Sequence, residues 1–298
     1  MFYHSPSDAY SIIAAPHDEA ARIRRLLNYA FSDRALREQE PLMKVFVDLL
    51  IQRLHENAKE GKTPINMVHW YEYTTFDIIG DLAFGESFQC VESSAHHPWV
   101  RLLFSAIKAS TIFQAASGFP GGLPLVKKLL AIFFSLGKNR LDHWSLTVEK
   151  VGKRLEQKSD RSDFMSYILK YNDERGMTVP EIEATSFELI LAGSETTATL
   201  LAGATSLLIR HPDALRKVTE EVRTAYKTES EINMASLAHL KYLSAVLEES
   251  LRLYPPVPVG TPRVVPHPGE TIEGRFVAPG VRTLSPTTTT TTNNATRS

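Results

Sequence analysis

Apolar residues recur at helical spacing along most of this chain, with polar residues filling the gaps. Residues 18–33 carry Ile23, Leu26, Leu27 and Ala30 on one face with Arg22, Arg24 and Arg25 beside it, which predicts an amphipathic helix. Residues 38–60 repeat the pattern with Leu42, Val45, Phe46, Leu49, Leu50 and Leu54, and Gly61-Lys62-Thr63-Pro64 follows as a turn. The same spacing predicts helices over 67–83, 98–116, 124–158, 162–171, 212–227 and 240–254, and no internal repeat is present. Strand pattern appears only after Pro255, where residues 271–277 place strand formers about Glu273-Gly274 and predict a short hairpin. Thr287 to Thr292 are consecutive threonines, and residues 284–298 predict a disordered tail.

The run from Pro180 to Arg210 stands apart. Thr178 suits an N-cap, Pro180 the first turn, and Glu181 and Glu183 the positive helix end, while His211-Pro212 stops the run. At ~1.5 Å per residue this helix is on the order of 45 Å long, enough to cross a domain. Thr185, Glu188, Ala192, Glu195, Thr196, Thr199 and Gly203 fall on one stripe, and the rest of the wheel is largely apolar. A helix apolar on most sides is expected to be buried, so its small, polar stripe faces a cavity, a cofactor or a closely packed helix. Glu188 and Glu195 argue against a membrane span, since each costs several kcal/mol there on the order given by insertion scales.

Composition narrows the picture only modestly. The 298 residues are 43% hydrophobic and can build a sizeable core. The net charge of -1 gives no sign of a nucleic-acid partner. One cysteine excludes an internal disulfide framework and suits a reducing compartment. No signal peptide or membrane anchor is read at the N-terminus, where Phe2-Tyr3-His4-Ser5-Pro6 is loop-like.

Two motifs could carry chemistry. In Ala192-Gly193-Ser194-Glu195-Thr196-Thr197, the small residues let a flat ligand approach the helix backbone. The Thr196 hydroxyl can bond the Ala192 carbonyl four residues back and open the helix locally, beside an acid able to relay protons. The same residues suit a simple contact between packed helices, and spacing leaves both readings open. Glu249 and Arg252 sit at i, i+3 on the helix over 240–254 and can pair. Periodicity places Leu243, Leu247, Leu251 and Tyr254 on the core face and Glu249 and Arg252 opposite, as an exposed pair. Arg24 and Arg263 could each bind a carboxylate, though a lone arginine is usually a solvated charge. His96-His97 lacks further ligand spacing, and Cys90 has no CxxC partner and reads as a loop or core thiol. No G-x-S-x-G, P-loop or G-x-G-x-x-G is present.

Taken in order, Ala-Gly-x-Glu-Thr-Thr at 192–197, Glu-x-x-Arg at 249–252, Tyr254-Pro255-Pro256-Val257-Pro258 and Pro262-Arg263 resemble the cytochrome P450 family. Arg22 to Leu27 with Ala30-Phe31-Ser32 is similar to the family's helix C, and Thr75 to Gly85 to its helix E. The flavour is that of filamentous-fungal secondary metabolism, similar to trichothecene-pathway hydroxylases. The resemblance covers roughly residues 9–283, and 1–283 is expected to form one partial domain of that family.

The resemblance implies a mainly α haem-thiolate fold with small β elements, incomplete at both ends. It implies that Glu195 and Thr196 are the acid–alcohol pair delivering protons for dioxygen activation, with Ala192 and Gly193 lining the oxygen notch. Arg24 and Arg263 match positions that hold the haem propionates, a charge-assisted contact. Glu249 and Arg252 become a buried ion pair that steadies the proximal core, against the periodicity. The implied reaction inserts one oxygen atom into a small apolar organic substrate, with electrons from an NADPH-dependent reductase at the endoplasmic reticulum membrane.

The departures are equally plain. The Phe-x-x-Gly-x-Arg-x-Cys-x-Gly type loop that supplies the axial ligand is absent, and no cysteine follows Arg252. Without an axial thiolate there is no push of electron density into the O–O bond. Ala20 stands where the family has Trp or His four residues before Arg24. The expectation is a truncated, pseudogene or mis-spliced product, catalytically incompetent by itself and cytoplasmic as written. The alternative is a non-enzymatic helical protein that keeps an apolar cavity for a hydrophobic ligand or partner. Phe104, Ile107, Phe113 and Phe119, with Val257, Val259 and Gly260, are the candidate cavity walls.

Overall fold

The computed structural model describes residues 9–100, 102–103, 135–157, 161–174, 176–258 and 263–283. Phe104, Ile107, Phe113, Phe119, Val259, Gly260, the expected tail over 284–298 and most of the helix expected over 98–116 lie outside the described residues. The chain forms two compact units, Met1–Ala198 and Thr199–Ser298.

The first unit is helical. Helix α1 (His17–Ala30) buries Ile23, Leu26, Leu27 and Ala30, the face its spacing predicts. Helix α2 (Asp33–Ala58) begins five residues earlier than the 38–60 expected from apolar spacing. Its polar first turns are helical because Ser32 caps the Ala35 N–H at 3.3 Å and Arg34 pairs with Glu38 at 2.8 Å. It ends where Lys59, Glu60 and Gly61 all take positive φ. Helix α3 (Met67–Phe84) is capped by Asn66 and stopped by Gly85 at φ 75. It is buried over most of its surface, with Trp70, Phe76, Leu82 and Phe84 in the core. A short α4 (Cys90–Ser93), then α5 (Ser135–Glu156) and α6 (Phe164–Lys170) follow, and the buried Trp99 stacks on Phe84 at 5.8 Å between ring centroids and meets His143 of α5.

Two buried carboxylates organise this core. Asp77 of α3 is 1% exposed and accepts the backbone N–H groups of Phe88, Cys90 and Val91 at 3.0, 3.1 and 2.9 Å. It thereby ties the chain after α3 back onto that helix. Asp163, fully buried, caps α6 through the Ser166 N–H at 2.8 Å and takes both its oxygens to Arg154 at 2.9 and 3.0 Å.

The long predicted helix is α7 (Val179–Arg210), and residues 179–198 belong to the first unit. The side chain of Glu181 reaches back to the Thr178 N–H at 2.8 Å and accepts the Thr178 hydroxyl at 3.0 Å. Arg22 of α1 donates to Glu181 and to the Gly176 carbonyl, tying α1 to this helix end.

In the second unit, the rest of α7 is less covered than an all-round apolar helix predicts, and Ile209 is 68% exposed. Helix α8 (Pro212–Ala225) follows, then a short α9 (Met234–Leu237) and α10 (Lys241–Leu253). Glu221 of α8 caps α10 by accepting the N–H groups of Tyr242 and Leu243 at 2.9 and 2.8 Å. The predicted hairpin forms as β2 (Glu270–Ile272) and β3 (Arg275–Val277), with Glu273 and Gly274 both at positive φ as a tight hairpin turn requires. A second antiparallel pair, β1 (Arg263–Val264) with β4 (Arg282–Thr283), joins residues too far apart in sequence for local pattern to predict.

Candidate active site

The stripe on α7 runs from a closed end to an open one. Thr185 and Glu188 are buried, Glu195 and Thr196 are half-buried, and Ala192 is exposed. The Thr196 Oγ1 donates to the Ala192 carbonyl at 2.6 Å, the bond its spacing predicts. Ser194 does the same to Ile190 at 2.6 Å on the buried side. The helix nevertheless stays continuous through the motif, rather than opening locally as expected. The arrangement leaves a carboxyl, a hydroxyl and a small residue on a partly accessible face of α7. Such a face can hold a flat group and move a proton beside it.

Gly193 faces elsewhere. A Cβ built on it lies 2.7 Å from Cδ1 and 2.8 Å from Cγ1 of Ile79 on α3. The missing side chain is therefore used against a packed helix, the alternative that the spacing left open. Farther along the stripe, in the second unit, the Tyr254 ring covers Gly203 in the same way, 2.4 Å from where a Cβ would stand.

Arg24 is exposed on α1 and makes no ion pair among the described residues. Beside it is an open cleft of about 550 Å³, lined by His17, Ala20, Ala21, Arg25 and Tyr29. Ala20 leaves room there that a large side chain would fill. Arg263 is exposed on β1 in the second unit.

Glu249 and Arg252 pair, with Arg252 Nε 2.6 Å from Glu249 Oε2. The hydrogen bonds from Arg252 hold the Glu249 carboxyl below its ordinary range. Burial is a different matter: in this chain the two side chains are 53% and 35% exposed. The reason lies in what covers α10. Its predicted core face is itself open, with Leu247, Leu251 and Tyr254 at 37%, 44% and 52% exposure. On another side, Leu207, Leu208, Ala245, Val246 and Leu253 line an apolar cleft of about 330 Å³ with Glu249 at its edge.

A haem-thiolate centre needs an ionised cysteine, and the one cysteine of the chain does not fit that need. Cys90 is fully buried beside Asp77 in the first core. Burial first, and then the neighbouring Asp77 charge, push its thiol up to about 12, although the His97 N–H points at the sulfur from 3.4 Å. Among the described residues no three His, Cys, Asp or Glu side chains cluster as a metal site. The one cysteine present thus does not suit the axial ligand of such a centre.

Sequence reasoning missed Asp77, the Arg154–Asp163 pair, the Arg22–Glu181 tie and the Ile79–Gly193 contact. Only Asp77 and Asp81 carried a signal, as acids inside the apolar run of α3.

Comparison with known proteins agrees with this reading of the fold. The family model for cytochrome P450 matches residues 1–295. The chain is 45% identical over 281 residues to the cytochrome P450 monooxygenase astJ of Aspergillus oryzae, covering 94% of this chain and 56% of that protein. It is 44% identical to the cytochrome P450 monooxygenase astA of Talaromyces wortmannii, over 93% of this chain and 55% of that one. Averantin hydroxylase of Dothistroma septosporum is 43% identical, over 90% and 50% respectively. The crystal structure of the cytochrome P450DA heme domain superposes with a TM-score of 0.69 at 19% identity, over 87% of this chain and 54% of that one. The chain spans about half the length of the curated relatives it matches. The ordered motifs, the helical architecture and these matches together place the chain in the cytochrome P450 family.

Proposed function

We propose that this chain carries the distal-side portion of a fungal haem-dependent monooxygenase of secondary metabolism. The haem of the complete protein supplies the oxygen chemistry. Glu195 and Thr196 hold and pass the proton on the open face of α7, and Ala192 keeps that face low enough for a flat group, with Gly193 beside it. Arg24 and Arg263 are the propionate partners, and Glu249 and Arg252 steady the proximal side. The substrate is a small apolar organic molecule, and the electrons come from an NADPH-dependent reductase at the endoplasmic reticulum membrane. The observation that supports this reading is the Thr196–Ala192 hydrogen bond, which fixes the hydroxyl beside the small exposed residue and one position from the acid. These 298 residues alone lack the axial cysteine and are on this reading inactive.

The test is a chimera in which residues 9–283 replace the matching part of the Aspergillus oryzae relative. Thr196→Ala and Glu195→Gln are each expected to lower product formation by about 100-fold, the scale of a lost proton-transfer group. Unchanged turnover in both variants would remove the assigned roles.

A second reading has one observation in its favour, the apolar cleft beside α10. There the chain binds a hydrophobic ligand or partner without catalysis. Saturable binding of an apolar fluorescent probe by the haem-free chain, lost in Ala245→Arg, is its test.

A further inference from the structure

The open face of α7 is only as well placed as the helix that carries it. We propose that Ile79 of α3 is a positioning residue for this face, because it seats against the bare α-carbon of Gly193 and sets how closely α7 approaches α3. The inference rests on the reading of Ala192, Glu195 and Thr196 as the site.

Three observations carry it. The first is the closeness of the contact. A Cβ on Gly193 would meet Ile79 Cδ1 at 2.7 Å and Cγ1 at 2.8 Å, closer than a real Cβ comes, with Ile79 Cβ at an ordinary contact distance of 3.4 Å. Cγ1 is placed by χ1, which is stiff in a β-branched side chain, so turning the terminal methyl alone does not clear the clash. The second is that Ile79 has nowhere to go. It is 7% exposed, and its neighbour Gly80 is itself pressed by the Phe88 ring, 2.3 Å from where a Cβ would stand. The stretch around it is held by Asp77, which binds three backbone N–H groups, and by Asp81, which pairs with Arg161. The third is the helix geometry. At ~100° per residue, Ala192 and Thr196 lie on the same side of Gly193, within about 100° of it. Any side chain at 193 that lifts or turns α7 therefore moves the Thr196–Ala192 hydrogen bond and the exposed backbone beside it.

The test uses the 298-residue chain without haem and reads hydrogen exchange along α7. Gly193→Ala is expected to speed exchange of amides 193–198 by about tenfold while amides 182–188 keep their wild-type rates, the mark of a local opening. Ile79→Ala placed in the Gly193→Ala background is expected to restore amides 193–198 to within about threefold of wild type, because the space opened fits the added methyl. If Gly193→Ala does not fold, recovery of folding in the double variant gives the same support. Wild-type exchange in Gly193→Ala, faster exchange spread evenly over α7, or no rescue by Ile79→Ala would each overturn the assignment. None of these readouts involves haem, so failure of the proposed function and failure of this contact are distinguishable.

Discussion

The backbone N–H of Cys90 donates to Oδ1 of Asp77 at 3.1 Å, and the thiol of the same residue sits fully buried beside that carboxylate. The chain's one cysteine is thereby part of a structural knot, in which a charged acid is satisfied by three backbone donors and the sulfur is kept neutral. A low-dielectric site next to a negative charge is the opposite of what a metal-ligating thiolate needs.

Cys90 should accordingly resist thiol reagents. With the thiol pushed up to about 12, labelling of the native chain should not accelerate between about pH 7 and 9, where a free thiol ionises. Labelling in denaturant should be rapid and complete. Mass spectrometry after timed alkylation checks this, and fast native labelling that follows an ordinary thiol titration would contradict it.

The Arg154–Asp163 pair is the costliest place to intervene. Both side chains are almost fully buried, at 2% and 0%, and Arg154 also donates to Ser166 Oγ at 2.8 Å. Arg154→Met leaves the buried Asp163 with only the longer Arg161 contact at 3.7 Å and the Ser166 N–H, and should cost about 3–5 kcal/mol in urea unfolding. Replacing both residues with apolar ones should recover much of that loss, because a buried pair contributes far less than its half-removal costs.

The tie between α1 and α7 gives an acid dependence with a definite sign. Partial burial pushes the Glu181 carboxyl up, but the hydrogen bonds from Arg22 and from the N–H and hydroxyl of Thr178 outweigh it and hold it below 4.5. A carboxyl depressed in the folded state stabilises above its unfolded value and loses that contribution as pH falls through the folded value. Glu181→Gln should therefore be less stable than wild type at neutral pH, with the gap closing below about pH 4.5. Urea unfolding of both proteins across that range checks it, and a gap independent of pH would refute the assignment.

How much of this was legible in the sequence follows from which interactions are local. Helices with one apolar face, such as α1 and α8, could be read from spacing, and so could the Glu273-Gly274 hairpin and the Thr196–Ala192 bond. Each depends on residues within a turn or two of one another. The start of α2 at Asp33 could not be read, because its first turns are held by a cap and an ion pair rather than by apolar residues. The role of Asp77 depends on backbone 11 to 14 residues away, and that of Ile79 on Gly193 of another helix. On α10 the spacing identified an apolar side, with Leu247, Leu251 and Tyr254, but periodicity says which side is apolar and not what lies against it. The same limit explains the Glu249–Arg252 pair. The motif located it and the periodicity placed it at the surface, while its burial was carried over from the resemblance.

The proposed function gives these residues the distal face of a haem site and no thiolate to complete it. Its most direct test is the absorption spectrum of the 298-residue chain expressed with haem supplied, then reduced and exposed to carbon monoxide. The account predicts no thiolate-type Soret band, with wild type and Cys90→Ala giving the same spectrum. A thiolate-type band that disappears in Cys90→Ala would show that the cysteine leaves the Asp77 knot to ligate iron, and would contradict the account.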